Sequence, residues 1–423
     1  MEKTGPTANR IVALDFVRGA ALFGILLMNI TGFGLPHAYN NPVNYGGAEG
    51  ANLVAWLIIQ IGFEGTQRGL FSMLFGAGIV LFTSRLEAKG RGDVADIYMR
   101  RNLWLAAFGM VNGYLFLWSG DILYFYGLIA LIVFPFRRMM PRYLLLIGAG
   151  AMLLGALFAL KNTNESLSDY NAYQAVQAGG ANVTGEQQEQ AKAWEQALER
   201  HEYTAEEQSK YIEQATASYS SSFWLNASET ANMESTRFYR FFFLDIFPMM
   251  MIGMALFKLG VFTLERSNGF YWALVIVGYG IGFTVNTIET RLIMDGGFGL
   301  LAFNQAAITY DLGRLSTTAG HLGLLLLFAR SGVFQLFQNA LASVGRMAFT
   351  NYLTPSVVCA IFFVGFGYFG QLQRYELYYV VLAICLVQLV LSPLWLRYYK
   401  MGPLEWLWRY LTYMQAPALK KVA

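Results

Sequence analysis

Two stretches set charged and polar residues among apolar ones. In "LDFVRGAALFGILLMN", residues 14–29, Asp15, Arg18 and Asn29 stand in a run otherwise suited to lipid. A helix turns about 100° per residue, so with Asp15 at zero Arg18 falls at about −60° and Asn29 at about −40°, on one face. "YDLGRLSTTAGHLGLLLLFAR", residues 310–330, repeats the device. With Asp311 at zero, Arg314 lies at about −60°, Thr318 at about −20° and His321 at about −80°. An aspartate and an arginine three residues apart can pair, which lowers the cost of holding a guanidinium inside a membrane. Both stripes must point into protein or water, and they are expected to need each other.

These side chains suggest a chemistry. An asparagine amide can hold a carbonyl oxygen or an acceptor, and an imidazole titrates near neutral pH and can take up a proton. Arginines attract phosphate, so Arg18 and the pair Arg100 and Arg101 are candidates for nucleotide phosphates. Each has a plainer structural reading: a helix clamp for Asp15, a packing histidine for His321, a topology signal for Arg100 and Arg101. Asp121 in "WSGDIL" either caps the following helix or belongs to a site. Further polar points are Asp245 in "FFFLDIFP", Arg346 with Asn351 in "GRMAFTNYL", and His37 just past the first apolar run.

Other chemistries find no motif. The chain has 2 cysteines, Cys359 and Cys385, both in apolar runs, so no disulfide framework or cysteine metal site is expected. The sequence contains no G-x-S-x-G, no H-E-x-x-H, no zinc spacing and no phosphate-loop lysine, and no metal is expected. The glycines of "LFSMLFGAGIVLF" read as a close-packing helix face.

The elements that carry these residues are helices in a membrane. With 56% apolar and 13% charged residues, the composition is too oily for a soluble globular chain. Apolar runs give about ten candidate spans near 11–33, 66–84, 102–118, 121–136, 143–161, 240–257, 269–288, 306–329, 346–366 and 375–396. The expected fold is all-α, a polytopic transmembrane helix bundle with a polar, largely helical extracytoplasmic insertion. Its parts are a five-span half over 1–161, the insertion over 162–237, and a second five-span half with an interfacial tail over 238–423. Residues 52–63 are apolar but too short to span, which suggests an interfacial segment or half of a broken helix.

Short basic loops orient the bundle. Lys3 and Arg10, the 85–101 loop, "FRRMMPR" and the tail from Arg397 fall on one side, which the positive-inside rule makes cytoplasmic. Both termini are then cytoplasmic. The basic residues lie in short clusters between spans, so nucleic acid is not an expected partner.

"RIVALDFVRGAALFGILLMNI", "LFSMLFGAG", "WSGDILYFYGL", "GRMAFTNYLTPS" and "SPLWLRYYKMGPLEWLWRYLTY" together resemble the DUF418, or YeiB-like, family of bacterial inner-membrane proteins. The resemblance covers nearly the whole chain. The pattern Arg10, Asp15, Arg18, Gly19, Asn29 is also similar, more distantly, to the first helix of the transmembrane acyltransferase superfamily that includes heparan-alpha-glucosaminide N-acetyltransferase. That likeness implies transfer of an acyl group from cytoplasmic acyl-CoA to an extracytoplasmic or membrane acceptor, with acyl-CoA as donor and a small molecule or glycan as acceptor. Asn29 matches the asparagine of that first helix, and His37 takes a roughly similar place to the histidine that follows it. Together with the residues read directly, the catalytic candidates are Asn29 with His321 or His37, and the binding candidates are Asp15, Arg18, Arg100, Arg101, Asp121, Asp311 and Arg314. The alternative is a transporter or channel for a small polar or anionic solute, its path lined by the same stripes. Membrane lipid is an expected partner, and a homodimer is allowed.

Overall fold

The computed structural model describes residues 12–179 and 183–421. Lys3 and Arg10 lie outside the described residues. The first half runs through α1 (Val12–Gly34), α2 (Gly50–Gly62), α3 (Thr66–Ala88), α4 (Val94–Met110), α5 (Leu123–Val133) and α6 (Pro141–Gln177). Three polar helices follow, α7 (Gly185–Glu199), α8 (Ala205–Ala217) and α9 (Tyr219–Asn232). The chain then returns through α10 (Phe243–Lys258), α11 (Asn268–Asp295), the short α12 (Leu300–Ala306) and α13 (Tyr310–Ser331). It ends with α14 (Gln335–Arg346), α15 (Ala348–Cys359), α16 (Leu377–Tyr398) and α17 (Pro403–Tyr413). Among the described residues there is no strand, only an isolated bridge between Tyr399 and Lys420. The protein is an all-α polytopic helix bundle.

Every apolar run named from the sequence is helical, but fewer helices than expected can cross a membrane unaided. Among the described residues, 7 are long and apolar enough, or 8 if the bent pair Tyr219–Phe238 and Phe243–Lys258 counts as one span. The shortfall lies at 102–118 and 121–136. There α4 gives way to a wider π turn over Val111–Leu115, and α5 is only 11 residues long. The segment 52–63 is half of an interrupted helix, since α2 leads into α3 after a break at Phe63–Gly65. α6 continues without a break past residue 161 to Gln177.

Small residues set the closest approaches. A Cβ at Gly76 would strike the Met250 backbone, and one at Gly253 would strike the Met73 backbone, so α3 and α10 interlock through a reciprocal glycine contact. The glycine-rich stretch read as a packing face is one. α1 meets α14 in the same way, with Gly19 against the Leu341 carbonyl and Gly345 against that of Asp15. Around these crossings the core gathers Phe16, Leu70, Met73, Tyr126, Met250 and Phe262, all buried.

Side chains join the helix ends into two opposite faces. On one, Arg137 and Arg138 reach Glu87, Lys258 donates to the Met139 carbonyl at 2.6 Å, and Arg100 donates to the Thr412 carbonyl at 3.1 Å. On the other, Asn41 and His201 both approach the Phe298 carbonyl, Tyr45 donates to that of Gly370, and Arg374 donates to that of Ala38. The polar helices belong to this second face. Thr184 and Thr204 open α7 and α8 with reciprocal capping boxes to Gln187 and Glu207, satisfying amides that no helical carbonyl can reach. α7 is pinned to α6 by Trp194 packed edge-on against Tyr170.

Candidate functional site

The break between α2 and α3 organises a charged centre. Gly65 sits there at φ +66°, and the space its side chain would need is filled by Tyr310 and Arg314. The last carbonyls of α2 are taken by side chains from two other helices. Asn286 Nδ2 donates to Ile61 O and His321 Nε2 to Gly62 O, both at 2.8 Å. With Nε2 donating, His321 Nδ1 accepts from the Tyr279 hydroxyl at 2.9 Å. Both ring nitrogens of His321 are therefore engaged, Nε2 with the end of α2 and Nδ1 with Tyr279.

Beside this break, Asp245 of α10 lies between two arginines. Arg68 donates to it at 2.6 Å, and Arg314 pairs with its other oxygen. Arg314 also holds Asp311, three residues back, at 2.8 Å, and Arg68 donates to the Tyr310 hydroxyl at 3.1 Å. The Arg314 side chain is fully buried, at 0% exposure. Glu64, in the break itself, stands 3.4 Å from the Tyr310 hydroxyl. The stripe on α13 thus finds its partners on α3 and α10. The expectation that it would face the α1 stripe is corrected, because Asp245 of α10 and Asp311 of α13 itself supply the carboxylates that Arg314 needs.

The α1 stripe is split along its length. Near the start of α1, Arg18 pairs with Asp15 at 2.9 Å and lies 3.4 Å from the Gly345 carbonyl. About three turns beyond, Asn29 lines a small cavity of about 20 Å³ with Trp118, Asn351, Tyr352 and Ser356 among its walls. Behind Tyr352 lies Asp121. It accepts from Asn112 Nδ2 at 2.8 Å, from the Tyr352 hydroxyl at 3.2 Å and from the Tyr124 amide at 2.9 Å. The amide contact is the helix cap read from the sequence. Asp121 is more than that cap, being buried against α4 and α15, with the "WSGD" turn folded into the bundle under α9. Asn226 of α9 holds the Gly113 carbonyl at 2.6 Å. Trp118 Nε1 and Asn112 Oδ1 are buried without a hydrogen-bond partner.

The remaining candidates lie apart from both centres. Arg101 is stacked between Trp408, 3.5 Å from its ring centroid, and Phe82. The like charges of Arg409 and Arg18 lie close enough to repel it, so several guanidinium groups converge at this end of α4. His37, at φ +51°, stacks on Tyr203 with 3.9 Å between ring centroids and leans on Tyr211, in the polar region of the second face. Burial there pushes its pKa below the usual 6.5, and the Glu207 carboxylate opposes that shift.

Sequence reasoning missed Arg68, Glu64, Asn112, Trp118 and Tyr352. Arg68 and Glu64 had a signal, since "FEGTQRGL" puts a carboxylate, a glycine and an arginine at the edge of an apolar run. Asn112 lies in a π turn, a local widening often found at functional sites, which no residue pattern announces.

The family described as "Protein of unknown function (DUF418)" matches residues 256–415. The chain is 32% identical to the uncharacterized protein YeiB of Escherichia coli, over 98% of this chain and 99% of that protein. It is likewise 32% identical to the uncharacterized protein YxaH of Bacillus subtilis, over 98% of this chain and 97% of the relative. No solved structure matches.

Proposed function

The chain belongs to the DUF418, YeiB-like family, and we propose that it is a transmembrane acyltransferase that moves an acyl group from cytoplasmic acyl-CoA to an extracytoplasmic or membrane acceptor. The observation that carries the reading is Asn29 on the wall of a small cavity between α1 and α15, with an unpartnered Trp118 N–H and the Tyr352–Asp121 pair beside it. In this reading the protein lies in the bacterial inner membrane, its basic face and both termini cytoplasmic and its polar helices outside.

The roles follow from donors and acceptors. The Asn29 amide and the Trp118 indole N–H would hold the thioester carbonyl oxygen as it gains negative charge. An acceptor hydroxyl would attack that carbonyl carbon, passing its proton to Tyr352 as the Tyr352 proton moves to Asp121. The C–S bond then breaks, and the CoA thiolate leaves and takes up the proton. Asn112 would keep Asp121 oriented. The roles read for His321 and His37 thus pass to Tyr352 and Asp121, since His321 caps α2 and His37 is stacked on Tyr203 in the polar region. Arg18, with its side chain 27% exposed, and the neighbouring Arg101 would draw CoA phosphates to the basic end. A cavity of about 20 Å³ holds one water, so the proposed cycle includes opening between α1 and α15.

A second reading, a path for a small polar or anionic solute, is favoured by the charged centre at the interrupted α2–α3 helix, since broken helices with intramembrane charges form many solute sites. Calorimetry of the purified full chain with acetyl-CoA and longer acyl-CoAs separates the two. The acyltransferase should bind acyl-CoA, with Arg18→Ala weakening binding. Asn29→Ala should leave binding intact while transfer falls about 100-fold or more, as for removal of one oxyanion donor. Folded protein that binds no member of the panel would leave only the solute path.

A further inference from the structure

We propose that the crevice between α6 and α7 is a headgroup site for a zwitterionic aminophospholipid. The crevice has a volume of about 490 Å³ and is open on one side. Its α6 wall changes character along the helix. Leu157 and Leu160 form the apolar end, continuing a stripe with Leu153 and Leu154 that is 63% and 46% exposed, as a surface against acyl chains must be. Lys161 stands where that apolar stretch ends. Glu165 and Asp169 follow on the same face, about 6 and 12 Å further along the helix axis. Gln190 of α7 closes the far end, donating to Ser168 at 3.1 Å.

This order of charges is the complement of one headgroup type. In an aminophospholipid the phosphate lies nearest the acyl chains and the ammonium further out. Here the cation comes first after the apolar wall and the carboxylates come next. A lysine at the end of a hydrophobic run sits at phosphate depth, where its long stem lies along the apolar surface. Lys161 and Glu165 are 3.5 Å apart, but both side chains are more than 60% exposed, so that pair contributes little and yields readily to a ligand. A primary ammonium can donate charge-assisted hydrogen bonds to Glu165 and Asp169, whereas a quaternary ammonium has no N–H to give. Phosphatidylglycerol places a neutral glycerol where the ammonium would stand, so it has no cation to offset the two carboxylates.

The test is native mass spectrometry of the detergent-purified full chain, titrated separately with phosphatidylethanolamine, phosphatidylcholine and phosphatidylglycerol of identical acyl chains. Wild type should hold phosphatidylethanolamine about tenfold more than either other lipid, the ratio expected of one charge-assisted hydrogen bond. Glu165→Gln with Asp169→Asn should bring the three lipids level, and Leu157→Ser should lower all three together. Leu157 and Glu165 are exposed and Asp169 half-buried, so they can be changed without disturbing the bundle, and an unaltered helical melting curve verifies that. Equal retention of the three lipids by wild type, a preference for phosphatidylglycerol, or a preference that survives in the doubly neutralised variant would overturn the proposal.

Discussion

The same four-residue pattern, an aspartate followed three positions later by an arginine, occurs on α1 and on α13 with different outcomes. Asp15–Arg18 closes as a local pair at 2.9 Å, and its arginine stays 27% exposed. Asp311–Arg314 closes at 2.8 Å, and its arginine is fully buried and pairs with Asp245 as well. Spacing on a helix therefore sets which residues can pair, and the neighbouring helices set how much is at stake. α14 offers Arg18 only the Gly345 carbonyl, whereas α3 and α10 bring Arg314 a second carboxylate and a second guanidinium. The α13 arginine is fully buried within a network, whereas the α1 arginine keeps part of its side chain exposed.

The sharpest way to break this contrast is to remove the carboxylate shared by the two arginines. Asp245→Asn leaves Arg68 and Arg314 facing each other with one full negative charge fewer between them. Removing one partner of a buried pair costs about 3–5 kcal/mol, so this variant should lose most of its folded yield in detergent. Arg314→Met with Asp245→Leu removes charges of both signs and should recover part of that loss. Equal yields for Asp245→Asn and wild type would show that the centre is solvated instead of buried.

Next in size is His321. If it caps the end of α2 instead of acting as a base, His321→Ala should lower stability by about 1–3 kcal/mol by stranding the Gly62 carbonyl. Acyl transfer per folded molecule should then be unchanged. A variant of wild-type stability that has lost transfer would return the catalytic role to this imidazole. Asp15→Asn should cost less, about 1 kcal/mol, because Arg18 is partly exposed and also lies near the Gly345 carbonyl. A loss as large as that of Asp245→Asn would erase the distinction between the two pairs.

The contrast also marks what a sequence can reveal. Helices were legible because apolar runs near twenty residues leave a chain few alternatives in lipid. The i, i+3 pairs were legible because both partners sit on one helix. Whatever joins separate helices was not. Arg68 reaches Asp245 across 177 positions, and Tyr352 reaches Asp121 across 231. No local period records such meetings. Asn29 was legible as a polar residue on the Asp15–Arg18 face, but the cavity it lines depends on Trp118 in a loop folded inward and on α15, which hydropathy does not encode.

The smallest expected effect belongs to His37, where α1 hands the chain to the polar helices. Its ring lies flat on Tyr203 and leans on Tyr211, so docking of α8 depends on an imidazole that burial keeps neutral. The pKa in the docked state is below 6.5, so the undocked state binds the proton more tightly. Docking is then fully stabilised above about pH 6.5 and weakens as pH falls from there through the docked value. Glu207 faces the same ring, and its pKa is lowered by the Thr204 amide and hydroxyl, so it stays ionised across this window and attracts the protonated ring. That attraction opposes the effect of burial and keeps the pH dependence small. Amide hydrogen exchange over residues 205–217 at pH 5 and pH 7.5, corrected for the intrinsic rate, should show faster opening at the lower pH. His37→Phe keeps the stacking surface and carries no titrating group, so its exchange should be level across the same range. If both chains open faster at pH 5 by the same factor, the coupling lies elsewhere and His37 is only a packing residue.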